Sequence, residues 1–302
     1  MIVGDVMIYN IIVLVKQVPD TANISGQVMK PDGTVNRAKL PAIFNPEDKT
    51  ALELALQMRD KYGGKIIAVT MGPPKASELL RECLYMGADE VILISDRKFA
   101  GADTLATSYV LSEAIKKIGT YDIIMAGRQA IDGDTAQVGP QTAEKLNVPQ
   151  ITYVQKILKI SKNKIRLQRK IDGGHEVLEC PFPILITVIK DAAEPRPFKS
   201  RRVMAYKNAR SLSELENMVD ENSLLYIDDL KEEYKTRKLF IPTLTMDELK
   251  VDPSRCGMPG SPTKVYKVES VVLAGNEHVK IEPTKNGLAE LVQKLMDDHI
   301  FG

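Results

Sequence analysis

Four short runs of apolar residues alternate along the first half of the chain with longer segments in which apolar residues recur every three or four positions. The runs are IIVLVK, KIIAVTM, EVILIS and YDIIMA. Continuous apolar runs of this kind are typical of parallel strands buried on both faces. The intervening segments end near a glycine, as helix C-termini commonly do. The alternation predicts a doubly wound parallel sheet, an α/β fold of Rossmann-like type.

The pattern changes after about residue 150. ITYVQKILKIS, KIRLQRKIDGG and HEVLECPFPILITVI are interpreted as antiparallel strands that extend one edge of the sheet, with a hairpin turn at residues 172–174. Residues 194–259 are charged, interrupted by prolines and weakly periodic, with one predicted helix in SLSELENMV. We therefore expect 1–193 to form the α/β domain and 194–259 to form a docking loop and insertion outside its core.

The last segment, residues 260–302, forms a C-terminal arm in this interpretation. It contains an apolar strand pattern, VESVVLAG, and a helical pattern, NGLAELVQKLMDDHI. The sheet of the α/β domain is complete without these two elements, and they have no core of their own. We therefore expect the arm to pack on another protein body.

Composition excludes several classes of function. The 302 residues include 41 basic and 40 acidic side chains, so no global field attracts nucleic acid or an anionic membrane. The three cysteines are far apart and lack metal-ligand spacing, which argues against a disulfide framework or zinc site and favours a reducing cytoplasm. No apolar run is long enough to span a bilayer. No catalytic triad, general base or metal site is recognisable, so chemistry by protein groups alone is not expected.

One strand-to-helix connection combines backbone freedom with short polar side chains. GRQAIDGDTAQVGP follows the YDIIMA strand and precedes a helical pattern. Its glycines permit close backbone approach, and the unpaired amides of residues 135–138 at the helix start suit a ligand phosphate. The stretch is neither a GxGxxG fingerprint nor a P-loop. The residues leave two interpretations open, a nucleotide cradle or an ordinary βα turn.

Other strand ends carry similar short connections. VKQVPDT follows the first strand, FNPED precedes the first helix and TMGPP follows the second strand. Ligands of open α/β sheets bind outside the carboxyl ends of the strands, so these connections should converge on one rim. Taken singly, Lys16 is equally explained as a surface charge, Asn45 as a helix N-cap and Met71 as a core residue.

The same motifs resemble those of a known family. VKQVPDT, NPED, TMGPP, SDRKFAGADTLATS and GRQAIDGDTAQVGPQTAEKL are similar to the β subunit of electron transfer flavoproteins, and LQRKIDGGHEVLECPFPILIT and GSPTKV extend the likeness. Within that family, GRQAIDGDTAQVGP with GADTLATS resembles the bifurcating or confurcating branch, whose β subunit holds a whole FAD. The resemblance implies a sheet of the adenine nucleotide α hydrolase-like kind and an α subunit on which residues 260–302 pack.

The resemblance also assigns a binding site by position. It implies that the loop from Gly127 holds the ADP part of FAD, that residues at the first two strand ends and the first helix surround it, and that NAD(H) meets the flavin near Asp103 and Thr104. The cofactor-binding residues are Leu14, Val15, Lys16, Asn45, Asp48, Met71, Gly72, Asp103, Thr104, Gly127, Arg128, Gln129, Ala130, Asp132, Gly133, Asp134, Thr135, Ala136, Gln137 and Val138. Hydride chemistry would belong to the flavin.

Two features depart from the family pattern. Ser200, in EPRPFKSRRVM, stands where the family usually has an apolar residue that anchors a flavin dehydrogenase or reductase partner. Five basic residues surround it and, because two prolines interrupt a helix, we expect them to form an exposed loop that docks by charge. Residues 208–258 are longer than the family's usual segment and form either a partner-specific clamp or a passive insertion.

Three functions are consistent with the sequence. The first is a redox subunit that binds FAD, exchanges electrons with NAD(H) and passes them through an α-subunit flavin to or from a partner dehydrogenase. The second is a non-bifurcating electron transfer flavoprotein β subunit with structural AMP. The third is an adenine nucleotide-binding module or ATP-using enzyme of similar fold.

Overall fold

The computed structural model describes residues 9–20, 40–219, 226–263 and 280–297. The strands are β1 (Tyr9–Leu14), β2 (Gln17–Pro19), β3 (Ala42–Phe44), β4 (Gly64–Met71), β5 (Glu90–Ile94), β6 (Ile123–Gly127), β7 (Gln150–Ser161), β8 (Lys164–Ile171), β9 (Gly174–Pro181), β10 (Ile184–Val188), β11 (Arg210–Ser211), β12 (Phe240–Ile241) and β13 (Thr243–Leu244). The helices are α1 (Pro46–Tyr62), α2 (Ser77–Met86), α3 (Thr104–Ile118), α4 (Val138–Leu146), α5 (Ser200–Tyr206), α6 (Leu212–Glu216), α7 (Ile227–Thr236), α8 (Met246–Leu249) and α9 (Lys285–Asp297).

A nine-stranded sheet organises the chain in the order β13-β5-β4-β1-β6-β10-β7-β8-β9. Every pair from β13 to β7 is parallel, whereas β7, β8 and β9 pair antiparallel. The predicted doubly wound α/β fold is therefore confirmed. The strand order reverses between β1 and β6, so the connections that leave these two strands diverge. Such a topological switch point leaves a crevice at the carboxyl ends of the strands.

Helices cover both faces of the parallel strands. Alternate residues of β1 divide between two buried clusters: Ile11 and Val13 pack with α1 and α2, and Ile12 and Leu14 pack with α3. All four side chains are buried. Burial on both faces explains why these strands are continuous apolar runs rather than alternating ones.

The strand β10 differs from its prediction. Its segment PILITV was interpreted as antiparallel, but β10 lies between β6 and β7 and is parallel to both. The antiparallel interpretation of that strand is wrong. All five residues of β10 are buried, as expected for an inner strand of a parallel sheet. The hairpin prediction is confirmed, because β8 and β9 pair around Asp172 and Gly173.

Residues 194–259 were expected to lie outside the core, but several described residues of this segment belong to it. β13 forms the edge of the main sheet beside β5. Ile241, Met246 and Cys256 are buried with the side chains of the two core clusters. The segment therefore completes the α/β unit. The predicted helix at SLSELENMV is shorter than expected, since α6 covers only Leu212–Glu216.

The described residues from Tyr9 to Thr263 belong to one compact unit, and residues 280–297 belong to a second. In the second unit α9 agrees with the helix predicted near the C-terminus. The predicted strand VESVVLAG lies outside the described residues. Within the described part of the chain, no helix combines the length and apolar character that a bilayer crossing requires.

Candidate functional site

A cavity of about 900 Å³ opens at the carboxyl ends of β1, β4, β5 and β6. It lies beside the switch point of the sheet, where α/β proteins of this topology bind their ligands. Its floor is apolar and includes Val69, Ile94 and Leu111. A volume of this size is near the upper end of the usual range for small-molecule sites.

The cavity brings together almost all the residues that the sequence proposed. Every predicted site residue lines it except Asn45 and Asp132. Asn45 is buried and bonds to the backbone of the loop, and the exposed Asp132 pairs with Lys16. The sequence analysis named SDRKFAGADTLATS only as a motif of the family and placed none of residues 95–102 in the site. The opposite wall is formed by Ser95, Asp96, Arg97, Phe99, Ala100, Gly101 and Ala102. Its signal was the polar, glycine-containing stretch SDRKFAGAD directly after the EVILIS strand.

Asp48 joins the ends of the two strands at the switch point. Its Oδ2 accepts the backbone N–H of Lys16 at 2.8 Å, and its Oδ1 accepts the backbone N–H of Gly127 at 2.9 Å. Burial, the largest influence, raises the pKa of the Asp48 carboxyl to about 7, although both hydrogen bonds oppose that rise. Gly127 must be glycine, because a Cβ there would lie 2.4 Å from Asp48 Oδ1 and 2.7 Å from Asp48 N.

Two further side chains near the start of α1 hold the beginning of the loop that follows β6. The buried Asn45 does not cap its own helix; its Nδ2 donates to Gln129 O at 2.9 Å and its Oδ1 accepts Ile131 N–H at 3.2 Å. Glu47 accepts the Gln129 N–H at 3.0 Å and binds the Arg128 guanidinium through both carboxylate oxygens. The NPED motif thus fixes the first residues of the loop.

The middle of the loop is folded tightly but leaves several amides free. Ala130 O accepts the N–H groups of Gly133 and Asp134. Asp134 and Ala136 adopt positive φ angles of 48° and 52°, which is costly for residues other than glycine. Among the described residues, no acceptor meets the amides of Thr135, Ala136, Gln137 and Val138.

These amides precede and begin α4, a nine-residue helix. Ala136 is left-handed and Gln137 has right-handed angles of φ −102° and ψ −28°. When two adjacent residues have left-handed and right-handed backbone conformations, their successive N–H groups point toward one position. This arrangement is called an anion-binding nest. The positive end of the helix dipole reinforces it. This wall is therefore suited to a phosphate group.

Thr104 connects the two helices that border the cavity. Its hydroxyl donates to Gln137 Oε1 at 2.9 Å and accepts from Gln141 Nε2 at 3.3 Å. The contact ties the start of α3 to the start of α4. Thr104 therefore helps to fix the position of the anion-binding wall.

Asp103 has a structural part in this arrangement. Its Oδ1 accepts the N–H groups of Leu105 and Ala106 and so caps α3, and its Oδ2 accepts both the N–H and the hydroxyl of Thr263. Burial opposes ionisation, but these hydrogen bonds lower the pKa of the carboxyl below its ordinary value. Ser261 Oγ accepts the Asp103 N–H at 2.8 Å. The Asp103 carboxylate is thus engaged within the protein.

The wall after β5 is held from behind by residues far along the chain. Ser95 N–H donates to Leu244 O, and Asp96 Oδ2 accepts Met246 N–H at 3.1 Å. A Cβ on Gly257 would lie 2.2 Å from Lys98 O, which shows how closely the two segments pack. The rim of the cavity therefore depends on residues that the sequence pattern had placed outside the core.

The basic segment around Ser200 is exposed at Lys199, Ser200 and Arg201, but it is not the loop that was expected. Ser200 begins the helix α5. Arg196 binds the buried Glu53 through Nε at 2.8 Å and Asp60 through Nη1 at 2.9 Å. Arg202 donates to the carbonyls of Leu84 and Ala88. Two of the five basic side chains therefore hold the segment on α1 and α2.

Comparison with protein families gives one match that covers more than half of the chain. A family described as "Electron transfer flavoprotein domain" matches residues 32–212. The matched range contains all the elements from β3 to β11, and therefore most of both cavity walls.

Individual relatives align over nearly the full length. "Electron transfer flavoprotein subunit beta" of Clostridium acetobutylicum is 40% identical over 290 residues, covering 96% of this chain and 99% of the relative. "Caffeyl-CoA reductase-Etf complex subunit CarD" of Acetobacterium woodii is 40% identical over 294 residues, with the same coverage. "Acryloyl-CoA reductase electron transfer subunit gamma" of Anaerotignum propionicum is 41% identical over 303 residues, again covering 96% and 99%.

Proposed function

The chain belongs to the electron transfer flavoprotein family as a β subunit, and from that premise we propose that it binds FAD in the cavity at the carboxyl ends of β1, β4, β5 and β6. In this proposal the FAD exchanges electrons with NAD(H). The electrons pass through a flavin of the α subunit to or from a partner flavin dehydrogenase or reductase, as bifurcation or confurcation.

The observation that carries the proposal is the set of free amides at Thr135 to Val138 beside a cavity of about 900 Å³. These amides suit the pyrophosphate, because backbone N–H groups at a helix start attract phosphate without a lysine. Gly133 leaves open space where a Cβ would stand, so a ligand can approach the main chain there. The residues present therefore fit the ADP part of FAD, and the apolar floor fits a ring system.

When bound, FAD supplies hydride acceptance and single-electron transfer. The protein's own residues hold and orient it. Asp48, Asn45 and Glu47 fix the loop that follows β6, so its amides are positioned before the ligand arrives. Preorganised amides of this kind lower the cost of ordering a loop on binding.

Two features support the proposed partners. In the second unit, α9 exposes Leu288, Val292 and Met296 at four-residue spacing, a stripe that suits a subunit interface. β subunits of this family pair with α subunits, and we assign the stripe to that contact. Relatives named as parts of a caffeyl-CoA reductase complex and an acryloyl-CoA reductase favour a reductase of CoA esters as the third component.

Cofactor analysis tests the proposal. The chain would be co-expressed with its α subunit, denatured, and the released nucleotides quantified by chromatography. We expect two FAD for each heterodimer. One FAD with one AMP would support the non-bifurcating alternative, and ATP would support a nucleotide-using enzyme. Gly133→Val should remove one of the two FAD molecules while the fold persists, whereas retention of both would show that the phosphates lie elsewhere.

Docking of the third component can be tested at α5. Lys199 and Arg201 are exposed, whereas Arg202 serves the fold. Reversing Lys199 and Arg201 to Glu should slow electron transfer to the partner and reduce its dependence on salt, because charge steers the encounter. Reduction of the flavin by NADH should stay unchanged. If the rate of electron transfer changes neither with salt concentration nor with the double reversal, this segment is excluded as the docking element.

A further inference from the structure

Among the described residues that line the cavity, three side chains are cationic, and two of them are already neutralised. Lys16 Nζ lies 2.7 Å from both carboxylate oxygens of Asp132. The Arg128 guanidinium binds Glu47 and lies over the Tyr153 ring. The third cation is Arg97, which is exposed and lines the cavity. Among the residues that the structure describes, it meets no carboxylate, carbonyl or aromatic ring.

The acidic side chains of the cavity are committed as well. Each accepts at least one hydrogen bond from the protein, and none forms an ion pair with Arg97. They are Asp48, Asp96, Asp103 and Asp134. Arg97 is thus the uncommitted charge among the side chains that line the cavity.

The backbone that carries Arg97 is firmly held. Arg97 begins a short 3₁₀ turn, Arg97–Phe99, in which Asp96 accepts the Lys98 N–H at 2.9 Å. Phe99 is buried beneath the turn. Gly257 packs against the carbonyls of Lys98 and Ala100. The turn therefore fixes the backbone from which the Arg97 side chain extends, and the guanidinium remains available to a ligand.

We propose that Arg97 recognises a phosphate of the NAD(H) that reacts at this cavity, an inference that rests on the proposed function. The planar fork of a guanidinium matches phosphate oxygens, and an exposed position at the cavity suits a substrate that enters and leaves. The anion-binding amides of Thr135 to Val138 lie on the other wall and serve the resident cofactor. Asp103, the earlier candidate for NAD(H), has no free acceptor capacity for this role.

Binding of ADP-ribose, the redox-inactive diphosphate portion of NAD, tests this assignment. The full chain, co-purified with its α subunit, would be titrated calorimetrically as wild type, Arg97→Gln, Arg97→Lys and Lys98→Gln. Lys98 is the matched control, since it is an exposed cation on the same turn and does not line the cavity. Flavin content would be measured by absorbance on the same samples.

Arg97→Gln should weaken ADP-ribose binding at least about tenfold, because hydrogen bonds to charged groups are among the stronger ones. Arg97→Lys should recover about a third of that loss, since it keeps the charge without the fork. Lys98→Gln should stay within about twofold of wild type. Arg97→Gln should lose much of the salt dependence of binding, whereas Arg97→Lys and Lys98→Gln should keep it.

Three results would overturn the assignment: wild type that does not bind ADP-ribose, Arg97→Gln that binds it as well as Lys98→Gln does, or Arg97→Gln that loses its flavin. Loss of flavin would place Arg97 in the cofactor site instead. The flavin content of wild type reports separately on the proposed function. With the flavin in place, the comparison of Arg97→Gln with Lys98→Gln decides the role of Arg97.

Discussion

The two walls of the cavity are built by opposite strategies. The loop that follows β6 is held at its beginning by Asn45, Glu47 and Asp48, all in one short motif before the first helix turn is complete. The turn that follows β5 is held along its length by residues 244–263, which lie some 150 positions later. One wall is therefore a property of the α/β domain itself. The other wall depends on a segment that follows the inner strands of the sheet along the chain.

This difference predicts how strongly each wall should respond to substitution of the residues that anchor it. The β6 loop is fixed by buried hydrogen bonds to carboxylates, so its anchors should be costly to remove and sensitive to pH. The β5 turn is fixed by a partly exposed clasp, so its anchors should be cheaper to remove and should fail locally. Four substitutions test the contrast, in order of decreasing expected effect.

Gly127→Ala should have the largest effect. The new Cβ would meet Asp48 and Glu47 at less than 3.0 Å, so the loop must move and the Gly127 hydrogen bond to Asp48 must break. Overpacking and a lost buried hydrogen bond together should lower the free energy of unfolding by about 5 kcal/mol. Urea denaturation measures this. A loss below about 1 kcal/mol would show that the loop is not rooted at Asp48.

Asp48→Asn should change how stability depends on pH. The pKa of Asp48 is about 7 in the folded protein, above the ordinary value of 3.8. A group with a raised folded pKa contributes stability below its unfolded pKa and loses it as pH rises through the folded value. The unfolding free energy of wild type relative to Asp48→Asn should therefore fall by up to about 4 kcal/mol between pH 4 and pH 8. Parallel pH profiles would contradict this.

Ser261→Ala should loosen the other wall. It leaves the Asp103 N–H without its acceptor and removes the hydrogen bond to Gly257 O. We expect a loss of about 2 kcal/mol in unfolding free energy and faster amide exchange in residues 95–103, with residues 127–137 unchanged. Ser254→Ala is the control, because Ser254 is exposed and bonds only within its own turn. Equal acceleration of both walls would mean that they are not separately anchored.

Gly133→Ala should have the smallest effect. Nothing lies within 4 Å of the position that its Cβ would take, and this residue is not among those with positive φ. Its unfolding free energy should stay within about 0.5 kcal/mol of wild type. Set beside Gly127→Ala, the result separates a glycine required by the fold from one that leaves room for a ligand. A large loss at Gly133 would remove that distinction.

The sequence drew attention to the residues of one wall of the cavity more than to those of the other, for a physical reason. The β6 loop has a recognisable local sequence pattern, because glycines, short polar side chains and a helix start follow an apolar strand. The clasp on the β5 turn involves Ser261 and Thr263, whose contacts with Asp103 span about 160 positions and leave no local pattern. The parallel direction of β10 was missed similarly, because an apolar run does not encode which neighbours it pairs with. The pairing of Arg196 with Glu53 also has no local signature.

The short strands β11 and β12 pair in parallel, two residues each, within the α/β unit, where β11 follows α5 and β12 precedes β13. The stretch from Ser211 to Phe240 therefore begins and ends at a fixed base. The entropic cost of closing a loop of this kind grows by only about 0.6 kcal/mol for each doubling of its length. In evolutionary terms, we expect this base to be a permissive site, at which insertions and deletions change the surface without disturbing the cavity at the strand ends.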